Sequence, residues 1–252
     1  MKPSTELALA KVPDLTLGFW LIKIAATTLG ETAGDAVSMS MNLGYLVGTG
    51  IFGAIFLAAV AAQVKARGFH PLMYWTTVVA TTTVGTTLAD FADRSLGIGY
   101  AGGSSLLLAL LLGSLVVWHR ALGSVSVSTV SSPKAEAFYW LTIMCSQTLG
   151  TALGDWTADT AGLGYTGAAV VFGGLLALVA AAYYVTKVSR TLLFWSAFIL
   201  TRPLGAVVGD FLDKPAGAGG LALSRYSASA ALLIFMLVAM RLFRQRAARA
   251  AA

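Results

Sequence analysis

A tryptophan precedes an aspartate by fifteen residues at four places in this chain, and this spacing constrains the fold more than any other feature. The four pairs are Trp20 and Asp35, Trp75 and Asp90, Trp140 and Asp155, and Trp195 and Asp210. Self-similarity that recurs at a nearly constant interval is the mark of a repeat architecture. The chain is therefore predicted to contain four copies of one structural unit of about 55–65 residues.

Small residues also recur at fixed distances from each of these four main aspartates. A glycine lies five residues before the aspartate, a small residue directly before it, and a further glycine nine residues after it. These residues are Gly30, Gly85, Gly150 and Gly205; Gly34, Ala89, Gly154 and Gly209; and Gly44, Gly99, Gly164 and Gly219. The first two positions are four residues apart, a spacing that lets helix backbones approach closely. We expect the helices that carry them to pack on their glycine faces, with the aspartates pointing towards one another.

The first and third copies share one pattern, and the second and fourth share another. Thr28–Gly30 and Thr148–Gly150 both read Thr-Leu-Gly, whereas Asp90–Arg94 and Asp210–Lys214 both read Asp-Phe-x-Asp followed by a cation. This alternation indicates that a two-copy ancestor was duplicated. Each copy contains two predicted helices, so all copies have the same orientation and their pseudo-symmetry axis is expected to run along the membrane normal.

The composition is that of an integral membrane protein. Charged residues make up 11% of the chain, against about 25% in soluble domains, and the mean hydropathy is +0.78. We predict an all-α fold of eight transmembrane helices in apolar stretches of about twenty residues. Their predicted spans are 15–37, 45–64, 72–91, 100–118, 137–156, 165–186, 191–211 and 224–242.

The predicted organisation has two halves of four helices, 15–118 and 137–243, joined by a linker at 119–136. A segment at 1–14 precedes the first half and a basic tail at 244–252 follows the second. Twelve of the 17 basic residues flank the predicted helices on the side of the membrane that holds both termini: Lys2, Lys11, Lys65, Arg67, Arg120, Lys134, Lys187, Arg190, Arg241, Arg244, Arg246 and Arg249. Only Arg94, Lys214 and Arg225 fall on the opposite side. By the positive-inside rule, both termini are predicted to be cytoplasmic. The net charge of +6 then serves membrane anchoring, and no nucleic-acid partner is expected.

Most of the acidic residues belong to the repeated motif. Eight of the eleven lie in or just beyond it: Glu31, Asp35, Asp90, Asp93, Asp155, Asp159, Asp210 and Asp213. A carboxylate within hydrocarbon is costly unless it is paired, protonated or bound to a metal, and neighbouring carboxylates raise each other's pKa. Convergence therefore implies protons, metal ions or basic partners. The alternative is that each aspartate ends a helix and caps the next segment, with Asp93 and Asp213 as solvated charges beside Arg94 and Lys214.

Five residues are the main candidates for binding a metal ion: Glu31, Asp35, Asp90, Asp155 and Asp210. The secondary candidates are Asp93, Asp159, Asp213, Arg202 and Gln147. Glu31 and Arg202 differ from their equivalents in the other copies, and a buried Arg202 is expected to neutralise one or two carboxylates. Lys23, nearer the cytoplasmic end, is expected to reach the interface or to form a local pair.

The available ligand atoms point to a hard cation as substrate, with no resident cofactor. Carboxylate and hydroxyl oxygens suit Mn²⁺, Mg²⁺ or Ca²⁺ better than Zn²⁺ or Cu⁺. The single cysteine, Cys145, and the two histidines, His70 and His119 at predicted helix ends, offer no haem or multi-cysteine site.

The tryptophan, the Gly-Asp motif and the Gly-x-Gly-Tyr that follows it in Gly97–Tyr100 resemble a bacterial membrane-protein family of four tandem two-helix repeats, whose function is unknown. The likeness covers about 15–243 and implies the bacterial inner membrane. A second likeness concerns Glu31–Asp35, which is similar, with one extra residue, to the Glu-x-Gly-Asp signature of manganese and calcium transporters. It implies cation-binding roles for Glu31 and Asp35.

The sequence thus predicts a secondary transporter of a divalent cation, with manganese export as the leading hypothesis. One alternative is a proton-coupled transporter or channel for another solute, with the acids as proton relays. Another is a non-transport assembly or sensor protein in the membrane. An enzyme is not expected, since no nucleophile elbow, His-Glu-x-x-His or phosphate-binding loop is present. The expected partners are membrane lipid, a small inorganic cation and possible further copies of the chain.

The topology can be tested with reporter fusions. Fusions after Lys65, after Ser131 and at Ala252 are expected to report a cytoplasmic position, because basic residues cluster on that side. Fusions near Asn42 and Gly162 are expected to report an external position. A reproducible reversal at one of these sites would contradict the arrangement of four repeats in the same orientation.

Overall fold

The computed structural model describes residues 10–248, and within them it consists of helices and connecting turns, with no β-strand. Eight long helices follow one another: α1 (Leu17–Asp35), α2 (Tyr45–Lys65), α3 (Pro71–Asp90), α4 (Tyr100–Leu122), α5 (Pro133–Asp155), α6 (Gly164–Val185), α7 (Arg190–Asp213) and α8 (Arg225–Leu242). The predicted number of helices is confirmed. Parts of the predicted terminal segments, 1–9 and 249–252, lie outside the described residues.

Local sequence signals set where several of these helices begin. The Thr16 hydroxyl accepts a hydrogen bond from the Phe19 backbone N–H and caps α1. Ser132 caps α5 in the same way through the Ala135 N–H. Pro71 is the first residue of α3. Proline has no backbone N–H, and at this position an N–H would have no acceptor within the helix.

The four odd-numbered helices form a closed ring. Helix α1 packs against α3 and α7, and α5 packs against the same two helices from the opposite side. In every copy the repeated glycine faces the residue three positions before the next copy's glycine. The four facing pairs are Gly30 and Thr82, Gly85 and Gln147, Gly150 and Arg202, and Gly205 and Thr27. The predicted packing on glycine faces is therefore confirmed, and it leaves the centre of the ring to polar side chains.

The even-numbered helices form an outer layer, and each packs on the odd-numbered helix of the following copy. Thus α2 lies on α3, α4 on α5, α6 on α7, and α8 closes the circle on α1. Their outward faces are rich in exposed leucine and valine. Five helices, α2, α4, α6, α7 and α8, are long and apolar enough to cross a membrane. Helices α1, α3 and α5 are not among them, and their buried threonines pack against both inner and outer helices.

A tight turn follows the main aspartate in each of the first three copies. It is a π-helical turn at Ala36–Ser40, Phe91–Ser95 and Trp156–Thr160. The repeated glycine nine residues after the aspartate has a positive φ in every copy, between 62° and 86°. Residues with a side chain rarely adopt this conformation, which explains why glycine recurs there.

We name the two ends of the bundle after their repeated residues, the tryptophan end and the aspartate end. At the tryptophan end, Trp75, Trp140 and Trp195 are buried and pack with other aromatic rings. They point into the protein and do not form the lipid-facing belt that is common at membrane surfaces. Residues 10–14 pair with 246–248 across this end, with an isolated bridge between Pro13 and Ala247.

The close packing in the ring can be tested with a single methyl group. A Cβ at position 150 would collide with the Cβ and Cγ of Arg202. We therefore expect Gly150→Ala to lower the free energy of unfolding by about 1–3 kcal/mol, measured as thermal or denaturant unfolding in detergent. The matched control is Gly174→Ala on the outer helix α6, where a Cβ meets no atom within 4 Å. The control should be neutral or stabilising, since alanine favours helix. Equal effects at both positions would contradict the packing.

Candidate functional site

The main aspartates of α1 and α7 are joined by one lysine at the aspartate end. Lys214 Nζ lies 2.5 Å from Asp35 Oδ2 and 3.0 Å from Asp210 Oδ1. Both carboxylates are almost fully buried, at 0% and 3% exposure. Burial lowers the pKa of Lys214, but Asp210 and Asp35 raise it by more, so its pKa lies above the ordinary value and the ammonium stays charged.

The main aspartates of α3 and α5 are joined in the same way by an arginine. Arg94 Nε lies 2.9 Å from Asp90 Oδ1, and Arg94 Nη2 lies 3.3 Å from Asp155 Oδ2. Burial also lowers the pKa of Arg94, and Asp90 and Asp155 raise it above its ordinary value. Arg94 and Lys214 occupy equivalent places in the two halves of the chain, so the aspartate end has an approximate two-fold symmetry.

The prediction that Asp213 forms a solvated pair with its neighbour Lys214 is wrong. Lys214 follows the last residue of α7 with an extended backbone, and its side chain reaches back to Asp210 and across to Asp35. Asp213 is instead 7% exposed and pairs with Arg225, whose Nε lies 2.9 Å from Asp213 Oδ2. Arg225 Nε also lies 3.7 Å from Asp35 Oδ2.

Asp93 is likewise not a solvated loop charge. It is 9% exposed, and its Oδ1 packs against Gly103 at the start of α4 without a hydrogen-bond partner among the described residues. Burial raises the pKa of Asp93, and the neighbouring Arg94 lowers it in part. Asp213 therefore belongs to the buried acidic group, whereas Asp93 is buried beside α4 and forms no ion pair with the described residues.

The alternative in which the aspartates serve as helix caps does not fit the structure. Asp35, Asp90 and Asp155 have helical backbone angles, and none of their side chains caps a backbone N–H. Asp210 lies inside α7. Their carboxylates point to basic side chains, as the convergence of the helices predicted.

Three of the carboxylates are close enough to share one cation. One oxygen from each of Asp35, Asp210 and Asp213 lies within 4.8 Å of the other two. Asp35 Oδ1 and Asp213 Oδ1 are buried and accept no hydrogen bond from the described residues. Lys214 and Arg225 supply the positive charge at this point. The group thus has carboxylate oxygens that its own cations leave unused.

One turn deeper in the ring, Glu31 meets Arg202. Arg202 Nη2 donates to Glu31 Oε2 at 2.8 Å and to Thr86 Oγ1 at 2.6 Å, and also to Thr151 Oγ1. Glu31 is 2% exposed and Arg202 is fully buried. The prediction that Arg202 neutralises a carboxylate is confirmed for Glu31. Gln147, the fully buried equivalent of Arg202 on α5, makes no side-chain hydrogen bond among the described residues.

Four consecutive stretches of the chain match the family described as Repeat of Unknown Function (DUF347), at residues 18–69, 73–123, 138–189 and 193–247. The chain belongs to this family. The resemblance inferred from the tryptophan and Gly-Asp motifs is thereby confirmed, and each DUF347 repeat contains one odd-numbered helix and the even-numbered helix after it. No curated protein and no solved structure matches the chain. The similarity of Glu31–Asp35 to manganese transporters stays a prediction.

Two charged residues do not join the buried acidic group: Lys23 of the first DUF347 repeat and Asp159 of the third. Lys23 does not reach an interface: it is fully buried, and its Nζ lies 4.1 Å above the centre of the Phe198 ring and 3.4 Å from Thr201 Oγ1. Asp159 is exposed and forms no ion pair with the described part of the chain. Asp159 is therefore not part of the buried acidic group.

Sequence reasoning missed Arg225 and the partner of Glu136. In the sequence, Arg225, the first residue of α8, is recognised only as one of three basic residues on the side opposite the termini. Its contact with Asp213 depends on α8 packing against α1, outside its own DUF347 repeat. At the tryptophan end, Glu136 is 1% exposed, and its Oε1 lies 2.7 Å from Lys11 Nζ. That pair joins the start of α5 to the N-terminal segment.

Proposed function

We propose that this DUF347 protein is a secondary membrane transporter that moves a divalent cation, with Mn²⁺ as the first candidate, through the aspartate end. The observation that supports this most is an imbalance of buried charge. Five buried carboxylates meet there: Asp35, Asp90, Asp155, Asp210 and Asp213. They face three cations, Arg94, Lys214 and Arg225. If all five are ionised, the group lacks two positive charges, which protons or bound cations would supply.

We further propose that all eight helices cross the membrane. They contain 18–24 residues and are about 27–36 Å long at 1.5 Å per residue, which suits a hydrocarbon core of ~30 Å. Helices α1, α3 and α5 do not need an apolar surface all round, because the outer helices shield them from lipid. The distribution of basic residues assigns the tryptophan end to the cytoplasm.

The chemistry of the group favours a hard cation. Asp35, Asp210 and Asp213 offer carboxylate oxygens within 4.8 Å of one another, and no thiol or imidazole accompanies them. Such oxygens bind Mn²⁺, Mg²⁺ or Ca²⁺ in preference to softer ions. A divalent ion at this point would replace Lys214 between Asp35 and Asp210.

The two bridging cations, Lys214 and Arg94, indicate how an entering ion changes the contacts between the inner helices. Lys214 holds α1 to α7 through their aspartates, and Arg94 holds α3 to α5. An entering ion that replaces Lys214 at Asp35 and Asp210 releases this link between two helices of the ring. The ion brings two charges in place of the one that Lys214 supplied, so it also takes over one of the missing charges and displaces one proton. We therefore propose that the metal ion exchanges for a proton, so that the proton gradient drives export.

Transport can be tested by neutralising single aspartates. Purified protein in liposomes is expected to move Mn²⁺, recorded with a metal-sensitive dye inside the vesicles. Asp35→Asn and Asp155→Asn should abolish this flux while the protein still folds, because asparagine keeps the size but not the charge. The matched control is Asp159→Asn, since Asp159 is exposed and should retain full activity. Asp213→Asn is expected to impair transport strongly, because Asp213 is buried with Arg225.

Two outcomes would contradict the proposal in different ways. Normal Mn²⁺ flux in both main-aspartate variants would show that the carboxylates are structural. Proton movement without binding of any divalent ion would show that they are proton relays for another solute.

A further inference from the structure

Three oxygens from three different helices surround one nitrogen at the centre of the ring. Glu31 Oε2 of α1 lies 2.8 Å from Arg202 Nη2, and Thr86 Oγ1 of α3 lies 2.6 Å from it. Thr151 Oγ1 of α5 completes the set. The nitrogen belongs to the fourth helix of the ring, α7. A positively charged atom is thus enclosed by one carboxylate and two hydroxyl oxygens.

The repeat explains how this arrangement arises. Glu31, Thr86 and Thr151 occupy equivalent positions, four residues before the main aspartate of their copies, and the fourth copy has Ala206 there. Arg202 lies one turn before Ala206 on α7, and its Nη2 reaches the three oxygens of the other copies. Three copies therefore supply oxygen ligands, and the fourth supplies a tethered cation in place of a ligand.

Arg202 is a poor match for a purely structural ion pair. A guanidinium has five N–H donors and binds carboxylates best through two parallel hydrogen bonds. Here only Nη2 is used, and Nε and Nη1 have no partner among the described residues although Arg202 is fully buried. The side-chain amide of Gln147, one turn below Thr151, is also fully buried and unpartnered. The three oxygens surround one charged atom, Arg202 Nη2, whereas the other two guanidinium nitrogens have no hydrogen-bond partner among the described residues.

We propose that Glu31, Thr86 and Thr151 form an inner cation site, which Arg202 fills as a tethered cation in the conformation described here. One carboxylate and two hydroxyls carry a single negative charge, so the site suits a small monovalent cation such as Na⁺ or K⁺. This inference rests on the proposed function in one respect: the divalent ion that enters at the aspartate end reaches this point next, whereas the monovalent cation is the one that occupies the site when Arg202 has left it. Arg202 must then leave the site for the ion to pass.

The site can be emptied without disturbing the packing. Arg202→Thr introduces the residue found at the equivalent positions 27 and 82, where each threonine already packs against a repeated glycine. The matched control, Glu31→Thr with Arg202→Thr, introduces the residue found at 86 and 151 and removes the carboxylate as well. The control should fold readily, because it removes both charges of the inner pair together and leaves neither one buried alone.

The measurement is the thermal stability of the full-length protein in detergent, in chloride salts of Na⁺, K⁺ or N-methylglucamine at equal ionic strength. A ligand that binds only the folded state raises Tm with its concentration. For Arg202→Thr we expect Na⁺ or K⁺ to raise Tm saturably, by roughly 5–10 °C at 100 times the Kd. N-methylglucamine is too large to enter and should have no effect. The wild type and the double variant should show no such dependence.

The stability of the two variants in the three salts distinguishes a cation site from a purely structural ion pair. An Arg202→Thr protein with the same Tm in all three salts overturns the inner site. If Arg202→Thr folds only in Na⁺ or K⁺ while the double variant folds in every salt, the site is supported. If it folds in no salt while the double variant folds in all, the vacated site takes no cation and the proposal is wrong.

A further variant separates this inference from the proposed transport. Adding Asp35→Asn to Arg202→Thr should leave the response to Na⁺ or K⁺ intact, because Asp35 belongs to the aspartate end and not to the inner site. Loss of the response in this variant would assign the bound ion to the aspartate end and overturn the inner site. Failure of Mn²⁺ transport alone would leave the inner site standing.

Discussion

The structure depends on how buried carboxylates are neutralised. Each of the four helices of the inner ring brings an aspartate to the same end, and close glycine contacts between the helices leave these acids little room to separate. Two ionised carboxylates so close repel strongly where water is scarce. Lys214 and Arg94 each lie between two of the aspartates, so the repulsion between neighbouring helices becomes an attraction through a shared cation. The ring can close at this end because of these two side chains.

The rest of the architecture protects this arrangement. Every outer helix covers the inner helix of the following repeat, so the four repeats interlock and none can leave without exposing a polar inner helix. The same cover keeps most of the threonines, Glu31 and Arg202 away from the outer surface of the bundle. The four-fold repeat determines how the helices pack. Residues that differ between the copies determine which charged side chains pair. Arg202 in the fourth copy and Glu31 in the first meet at the centre, whereas their equivalents in the other copies are uncharged.

The scaffold could be predicted from the sequence because it depends on residues that recur. The repeat spacing gave the number of helices, and the small residues before each aspartate gave the face on which the inner helices pack. The buried partners could not be predicted in the same way. Lys214 adjoins Asp213 in sequence, but the backbone extends at the end of α7, so its side chain turns to Asp210 and Asp35. Arg225 reaches Asp213 only because α8 closes the outer layer on α1, a long-range contact that no local pattern reports.

The most direct test of the account is anomalous X-ray scattering from crystals of the protein grown with Mn²⁺, recorded at the manganese absorption edge. The account predicts an anomalous peak among Asp35, Asp210 and Asp213, with the Lys214 ammonium moved away from the position between Asp35 and Asp210 that it occupies here. A fully ordered aspartate end without an anomalous peak, and with Lys214 still between the two carboxylates, would contradict it.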